Sequence, residues 1–156
     1  MAETNNPSSL TTDRELLITR VFDAPRSLVF KAWTEPERIK QWWGPRGAVT
    51  VSCEMDFRPG GLWRTRAKAP DGREFVSRSV FREIVEPERL VFTYAWEDAE
   101  GKPKHETLVT ITFMEQNTKT VLTFQQGVFE SVTSREAHEE GWGWFFDHLS
   151  EYLPQA

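Results

Sequence analysis

Residues 133–153 read TSREAHEEGWGWFFDHLSEYL. His138, Trp142, Phe145 or Phe146, Leu149 and Leu153 recur in steps of three and four, the spacing that puts side chains on one face of a helix. Glu136, Glu139, Glu140 and Glu151 fall mostly elsewhere. The spacing predicts a helix about 30 Å long. Strands of seven to ten residues span about 25–33 Å, so one such helix can cross the whole concave side of a twisted sheet. No other element of the sequence is long enough to cover the sheet's apolar face.

Working backwards, the middle of the sequence alternates as strands do. Val49, Val51, Cys53, Met55 and Phe57 interleave with Thr50, Ser52, Glu54 and Asp56, predicting a half-buried strand. Further strands are expected over 62–67, 74–85, 89–96, 105–114 and 120–126. Pro59-Gly60-Gly61, Pro70-Asp71-Gly72, Pro87-Glu88, the 98–102 loop and the 117–119 connection separate them. Such short turns force antiparallel pairing, because a parallel crossover needs a dozen residues or more. A first strand over 14–22 must add to one end of this six-stranded meander.

Two short helices fill the remaining stretch. Asp23-Ala24-Pro25 reads as a helix start, with Asp23 as the cap and Pro25 in the first turn. Leu28, Val29, Ala32 and Trp33 form the apolar side of that helix. Thr34 is the expected cap of the next, with Pro36 in its first turn, a stripe of Ile39, Trp42 and Trp43, and Gly44-Pro45 as the stop. The polar residues 1–12 read as a mobile tail, leaving 13–156 as one domain.

Composition narrows the function classes. Seven Trp and eleven Phe in 156 residues exclude a disordered chain. A net charge of −5 argues against a nucleic-acid partner. No apolar run approaches the roughly 20 residues needed to cross a bilayer, and no charged start with an apolar core marks a signal peptide. A cytoplasmic location is therefore expected. The single cysteine, Cys53, allows no intrachain disulfide and reads as a buried structural thiol.

The order strand, two short helices, six strands, long helix is an α+β helix-grip arrangement, and specific residues sharpen it. They are Phe22-Asp23-Ala24-Pro25, Val29-Phe30-Lys31-Ala32-Trp33-Thr34, Trp42-Trp43-Gly44-Pro45 and Arg58-Pro59-Gly60-Gly61. Pro70-Asp71-Gly72, the run from Glu86 to Thr93 and Glu139-Glu140-Gly141-Trp142 continue the series. Together, over about residues 14–153, they resemble the START-like (SRPBCC) superfamily, in its branch named for the activator of the heat-shock protein 90 ATPase. The resemblance implies a cavity between the long helix and the sheet, which relatives use for lipids, sterols, polyketides or other apolar molecules. Co-chaperones of this branch carry an additional N-terminal domain that this sequence does not include, which ranks a chaperone contact second.

The expected ligand contacts follow. Trp42 and Trp43 form one lip; Trp142, Phe145, Phe146 and Leu149 form the roof; and His138 lies on the same helix face. Trp63, Phe81, Phe92, Trp96, Ile111, Phe113 and Phe124 face them from the strands, and Gln126, in alternation with Leu122 and Phe124, aims its amide at the helix. The same rings can instead fill the space as core. In the strand over 74–85, either Ser77 and Ser79 or Arg78 and Arg82 face inward, because both phases carry apolar residues. Glu54 and Asp56 read as outer-face carboxylates.

Motifs for other chemistry fail on spacing. His138-Glu139 lacks a second imidazole at position 142, which is Trp, so it is no zinc motif. His138 and His148 stand about 80° apart around a helix, so no metal site is expected. No phosphate loop, dinucleotide fingerprint or nucleophile elbow is present, and no cofactor is expected. A small hydrophobic molecule is thus the expected partner of a monomer or homodimer. A protein-interaction module and a polyketide-cyclase-like enzyme are the alternatives.

Overall fold

The computed structural model describes residues 13–44 and 47–156; the expected tail and Pro45 lie outside them. The elements run β1 (Leu16–Phe22), α1 (Arg26–Thr34), α2 (Pro36–Trp42), β2 (Val49–Met55), β3 (Leu62–Lys68) and β4 (Glu74–Val85). They continue with β5 (Arg89–Trp96), β6 (Thr107–Gln116), β7 (Lys119–Gly127) and α3 (Val132–Tyr152), closed by a short 3-10 turn over Leu153–Gln155. Seven antiparallel strands form one sheet in the order β1-β7-β6-β5-β4-β3-β2. The first strand adds to one end of the meander, as expected, and the end it takes is the β7 edge. This is the helix-grip architecture.

Both short helices begin differently from the sequence expectation. Pro25 itself is the residue before α1, and no side chain caps that end, so Asp23 has no capping role. Glu35 precedes α2, and the Thr34 hydroxyl donates back to the Phe30 carbonyl at 3.0 Å instead of accepting from α2. Thr34 is buried against its own helix, where the nearest partner is the carbonyl four residues back. Helix α3 does carry a side-chain cap: Ser131 accepts from the Ser134 amide at 3.0 Å.

In β2 the regular alternation fails. A bulge between Thr50 and Ser52 shifts the register against β3. Cys53 and Met55 pack inward, whereas Val49 and Val51 are exposed, because the extra residue flips the strand's phase. The Cys53 thiol is half-buried beside Thr65, and burial pushes its pKa up, as suits an unreactive thiol.

Strand β4 turns its serine phase to the core. Ser77, Ser79 and Phe81 are buried on the inner face, and Arg78 and Arg82 point outward. Small hydroxyls fit beneath an aromatic layer where a guanidinium would have to shed its water. On the outer face Arg64 grips Glu97 with two bonds of 2.8 and 2.9 Å, and Arg78 approaches the same carboxylate at 3.7 Å. The Glu97 side chain is only 3% exposed. The Arg64 hydrogen bonds hold its pKa below the usual carboxylate range.

Candidate functional site

The concave side of the sheet is floored by aromatic rings. Trp33, from α1, is the hub, with ring centroids of Trp42 at 4.9 Å, Trp43 at 5.9 Å, Phe146 at 6.2 Å, Trp142 at 6.3 Å and Phe124 at 6.5 Å. Trp63 continues the layer, stacked on Phe81 and edge-on to Phe92. Phe113 packs edge-on against Phe30. Rings at these separations leave no room between them. The hollow beneath the C-terminal half of α3 is therefore filled.

It is open at the other end. Between the first half of α3 and strands β4 and β5 lies a cleft of about 300 Å³. Phe75 and Tyr94 line it from the sheet, together with Trp96. Helix α3 contributes Ala137, His138, Gly141, Trp142, Trp144 and Phe145. The helix presents its smallest residues here, one turn apart, and a Cβ built on Gly141 meets nothing within 4 Å. That missing bulk is what leaves the gap. No carboxylate, ammonium or guanidinium lines it.

The Trp96, Trp142 and His138 side chains of the walls are hydrogen-bonded within the protein. Gln126, fully buried, bridges the sheet and the helix: its Oε1 accepts from Trp142 Nε1 at 2.7 Å, and its Nε2 donates to Thr107 Oγ1 at 2.8 Å. Trp96 Nε1 donates to His138 Nε2 at 3.0 Å. His138 Nδ1 lies 2.8 Å from the Ser134 carbonyl, which fixes the neutral ring with its proton on Nδ1. Burial holds the imidazole's pKa below its ordinary value. The Tyr94 phenol, beside Ser77, is pushed up by burial and stays neutral.

Of the residues singled out from the sequence, Trp96, His138, Trp142 and Phe145 line this cleft. Trp42 and Trp43 border a separate, polar cleft of about 370 Å³ near Lys40, His148 and Tyr152. Trp63, Phe81, Phe92, Ile111, Phe113, Phe124, Gln126, Phe146 and Leu149 are buried in the core behind it. The sequence reading missed Phe75, Tyr94, Ala137, Gly141 and Trp144. Tyr94 shares the period-2 phase of Phe92 and Trp96, and a glycine inside a helical pattern is itself a signal.

The opposite, convex face of the sheet is distinct in character. Leu17, Val21, Leu108 and Met114 are exposed there on β1 and β6. Across β1, β7 and β6 the neutral pairs Thr19–Thr123, Thr123–Thr112, Val21–Val121 and Gln125–Thr110 lie on that face, and Arg89 of β5 pairs with Thr112 at its border.

Comparison with known proteins agrees with this architecture. A crystal structure from Nitrosomonas europaea superposes with a TM-score of 0.78 at 27% identity, covering 93% of this chain and 97% of that one. A solution structure from Arthrobacter aurescens gives 0.81 at 25% identity, over 92% and 88%. The AHSA1 protein of Silicibacter pomeroyi gives 0.81 at 20% identity, over 90% and 98%, a likeness of fold. A search of the curated proteins gives no match. Among the described residues no helix is long and apolar enough to cross a membrane. The model of the activator of Hsp90 ATPase homolog 1-like proteins matches residues 23–154, and the chain belongs to that family.

Proposed function

We propose that the domain holds a small apolar or amphipathic molecule in the cleft between α3 and strands β4 and β5. One observation carries this reading. The cleft of about 300 Å³ is walled by aromatic rings and has no charged side chain, and the indole N–H groups of Trp96 and Trp142 are bonded within the protein. Its size lies at the lower end of ligand sites. A carboxylate or phosphate buried there would shed its water without a counter-charge, so the seated part of the ligand is uncharged. Membership of the family supports the reading, because this fold commonly encloses hydrophobic ligands. Thermal melts against lipids, flavonoids and polyketide-like compounds test it. A rise in Tm with a subset of neutral compounds is expected, and a flat response across the panel would overturn it.

Acid–base catalysis in the cleft is less well supported. Both nitrogens of His138 and both ends of the Gln126 amide are bonded within the protein.

A second reading rests on the convex face, where Leu17, Val21, Leu108 and Met114 are exposed among the neutral Thr and Gln side chains of β1, β7 and β6. It would suit contact with a chaperone of the Hsp90 type, as the family's description suggests. Adding the purified chain to the host chaperone's ATPase assay tests this. Stimulation that Met114→Glu removes would support it, and no effect on the rate would end it.

A further inference from the structure

The apolar cleft has a neighbour. A second cleft of about 150 Å³ lies beside it, and the two share Tyr94, Trp96 and His138 as walls. The neighbour is polar, edged by Lys104, His105, Glu130 and Ser134. The Trp96–His138 hydrogen bond therefore stands where the two clefts meet.

That bond depends on one protonation state. Carbonyl oxygens only accept, so the 2.8 Å contact with Ser134 puts the ring proton on Nδ1 and leaves the Nε2 lone pair for Trp96. A second proton has only Nε2 to occupy. There it would face the indole N–H, donor against donor, at a separation of 3.0 Å. We propose that the Trp96–His138 hydrogen bond is a proton-controlled latch, closed while the imidazole is neutral, whose release on protonation frees the Trp96 indole and opens the apolar cleft toward the polar one.

The surroundings of His138 set when this happens. Tyr94 and Trp96 face it from β5, Phe129 and Glu130 from the segment before α3, and Phe75 from β4 across the apolar cleft. Lys104 and His105 face it from the β5–β6 loop across the polar one. Burial is the strongest influence and disfavours the imidazolium; the Ser134 carbonyl and the Glu130 carboxylate oppose it. The latch is thus closed at neutral pH and opens in acid. This inference holds whichever molecule the cleft accepts.

The test is nitrogen-15 NMR of the full chain as pH is lowered through and below about 6.5, the ordinary imidazole value. The Trp96 indole N–H is expected to lose protection from solvent exchange, about tenfold for each 1.4 kcal/mol of opening, in step with the His138 titration. The Trp142 indole, held by Gln126, stays protected. His138→Gln keeps an acceptor that does not titrate and is expected to make the Trp96 protection independent of pH. Protection of Trp96 that persists through the His138 titration, or the same pH profile in His138→Gln, would overturn the proposal. Should His138→Gln fail to fold, Trp96→Phe removes the donor and keeps a ring. The His138 midpoint is then expected to rise, and an unmoved midpoint would overturn the proposal equally.

Discussion

Trp142 donates its indole N–H to the Gln126 side-chain oxygen at 2.7 Å, joining the long helix to the last strand inside an otherwise apolar layer. Gln126 in turn donates to Thr107, whose hydroxyl donates to the Tyr94 carbonyl at 3.2 Å. The chain of bonds runs from α3 through β7 and β6 to β5. It fixes Trp142 as one wall of the cleft.

Gln126→Leu preserves bulk but leaves the Trp142 N–H buried without an acceptor, which costs about 1–3 kcal/mol. Urea unfolding measures this, with an unchanged m-value expected. A loss below about 0.5 kcal/mol, the range of neutral surface changes, would show that the bridge contributes little. Trp142→Ala, which removes the ring itself, is expected to cost about 3–5 kcal/mol.

Arg64→Met strands Glu97 in a site where its side chain is 3% exposed, leaving Arg78 at 3.7 Å and the more distant charge of Arg66 as its cationic neighbours. A destabilisation of about 2–3 kcal/mol at neutral pH is expected, below the full cost of breaking a deeply buried pair. The native Glu97 has a lowered pKa, so its contribution is fully present above the unfolded value of about 4.3. It is lost as pH falls through the lower folded value. Melts of the two proteins should therefore converge in acid. A constant difference at every pH would contradict this origin.

His138 gives a second pH dependence, of the opposite chemical type but the same sign. Its folded pKa lies below that of the unfolded chain, so the unfolded chain binds the proton first as pH falls. Stability is expected to decline as pH drops below about 6.5, and His138→Gln should flatten that decline. Thermal melts across the interval decide it, and identical slopes in both proteins would refute it.

Gly141 separates folding from binding. Gly141→Ala removes a helix-interior glycine and is expected to raise stability by about 1 kcal/mol, since the added carbon meets nothing within 4 Å. Gly141→Leu extends into the gap and should fill the cleft while leaving the fold intact. Differential scanning calorimetry reads both effects. A destabilised Gly141→Ala would mean that the space beside Gly141 is not free.

Much of the architecture was legible in the residues themselves. The bounds of β4 and β5 and the extent of α3 follow from period-2 and period-3.6 patterns strong enough to survive without context. Turn chemistry gave the antiparallel order. What stayed hidden was decided by packing. The phase of β4 depends on whether serines or arginines meet the aromatic layer, and both phases carry apolar residues. The β2 bulge leaves no mark in a regular alternation. The site was only partly readable because a sequence shows which rings face inward but not which of them touch. Trp33, a hub of the core, and Gly141, a gap, look equally unremarkable in isolation; the cleft exists because α3 is thin where it passes β5.

The most direct measurement is a nitrogen-15 NMR titration of the protein with a neutral naphthalene-type probe, run in parallel on Gly141→Leu. Shifts concentrated at the Trp96 and Trp144 indoles and the Gly141 amide, and abolished in Gly141→Leu, are the expected result. Shifts gathered instead around Leu17, Val21 and Met114, or a response that survives in Gly141→Leu, would contradict a ligand site between α3 and the sheet.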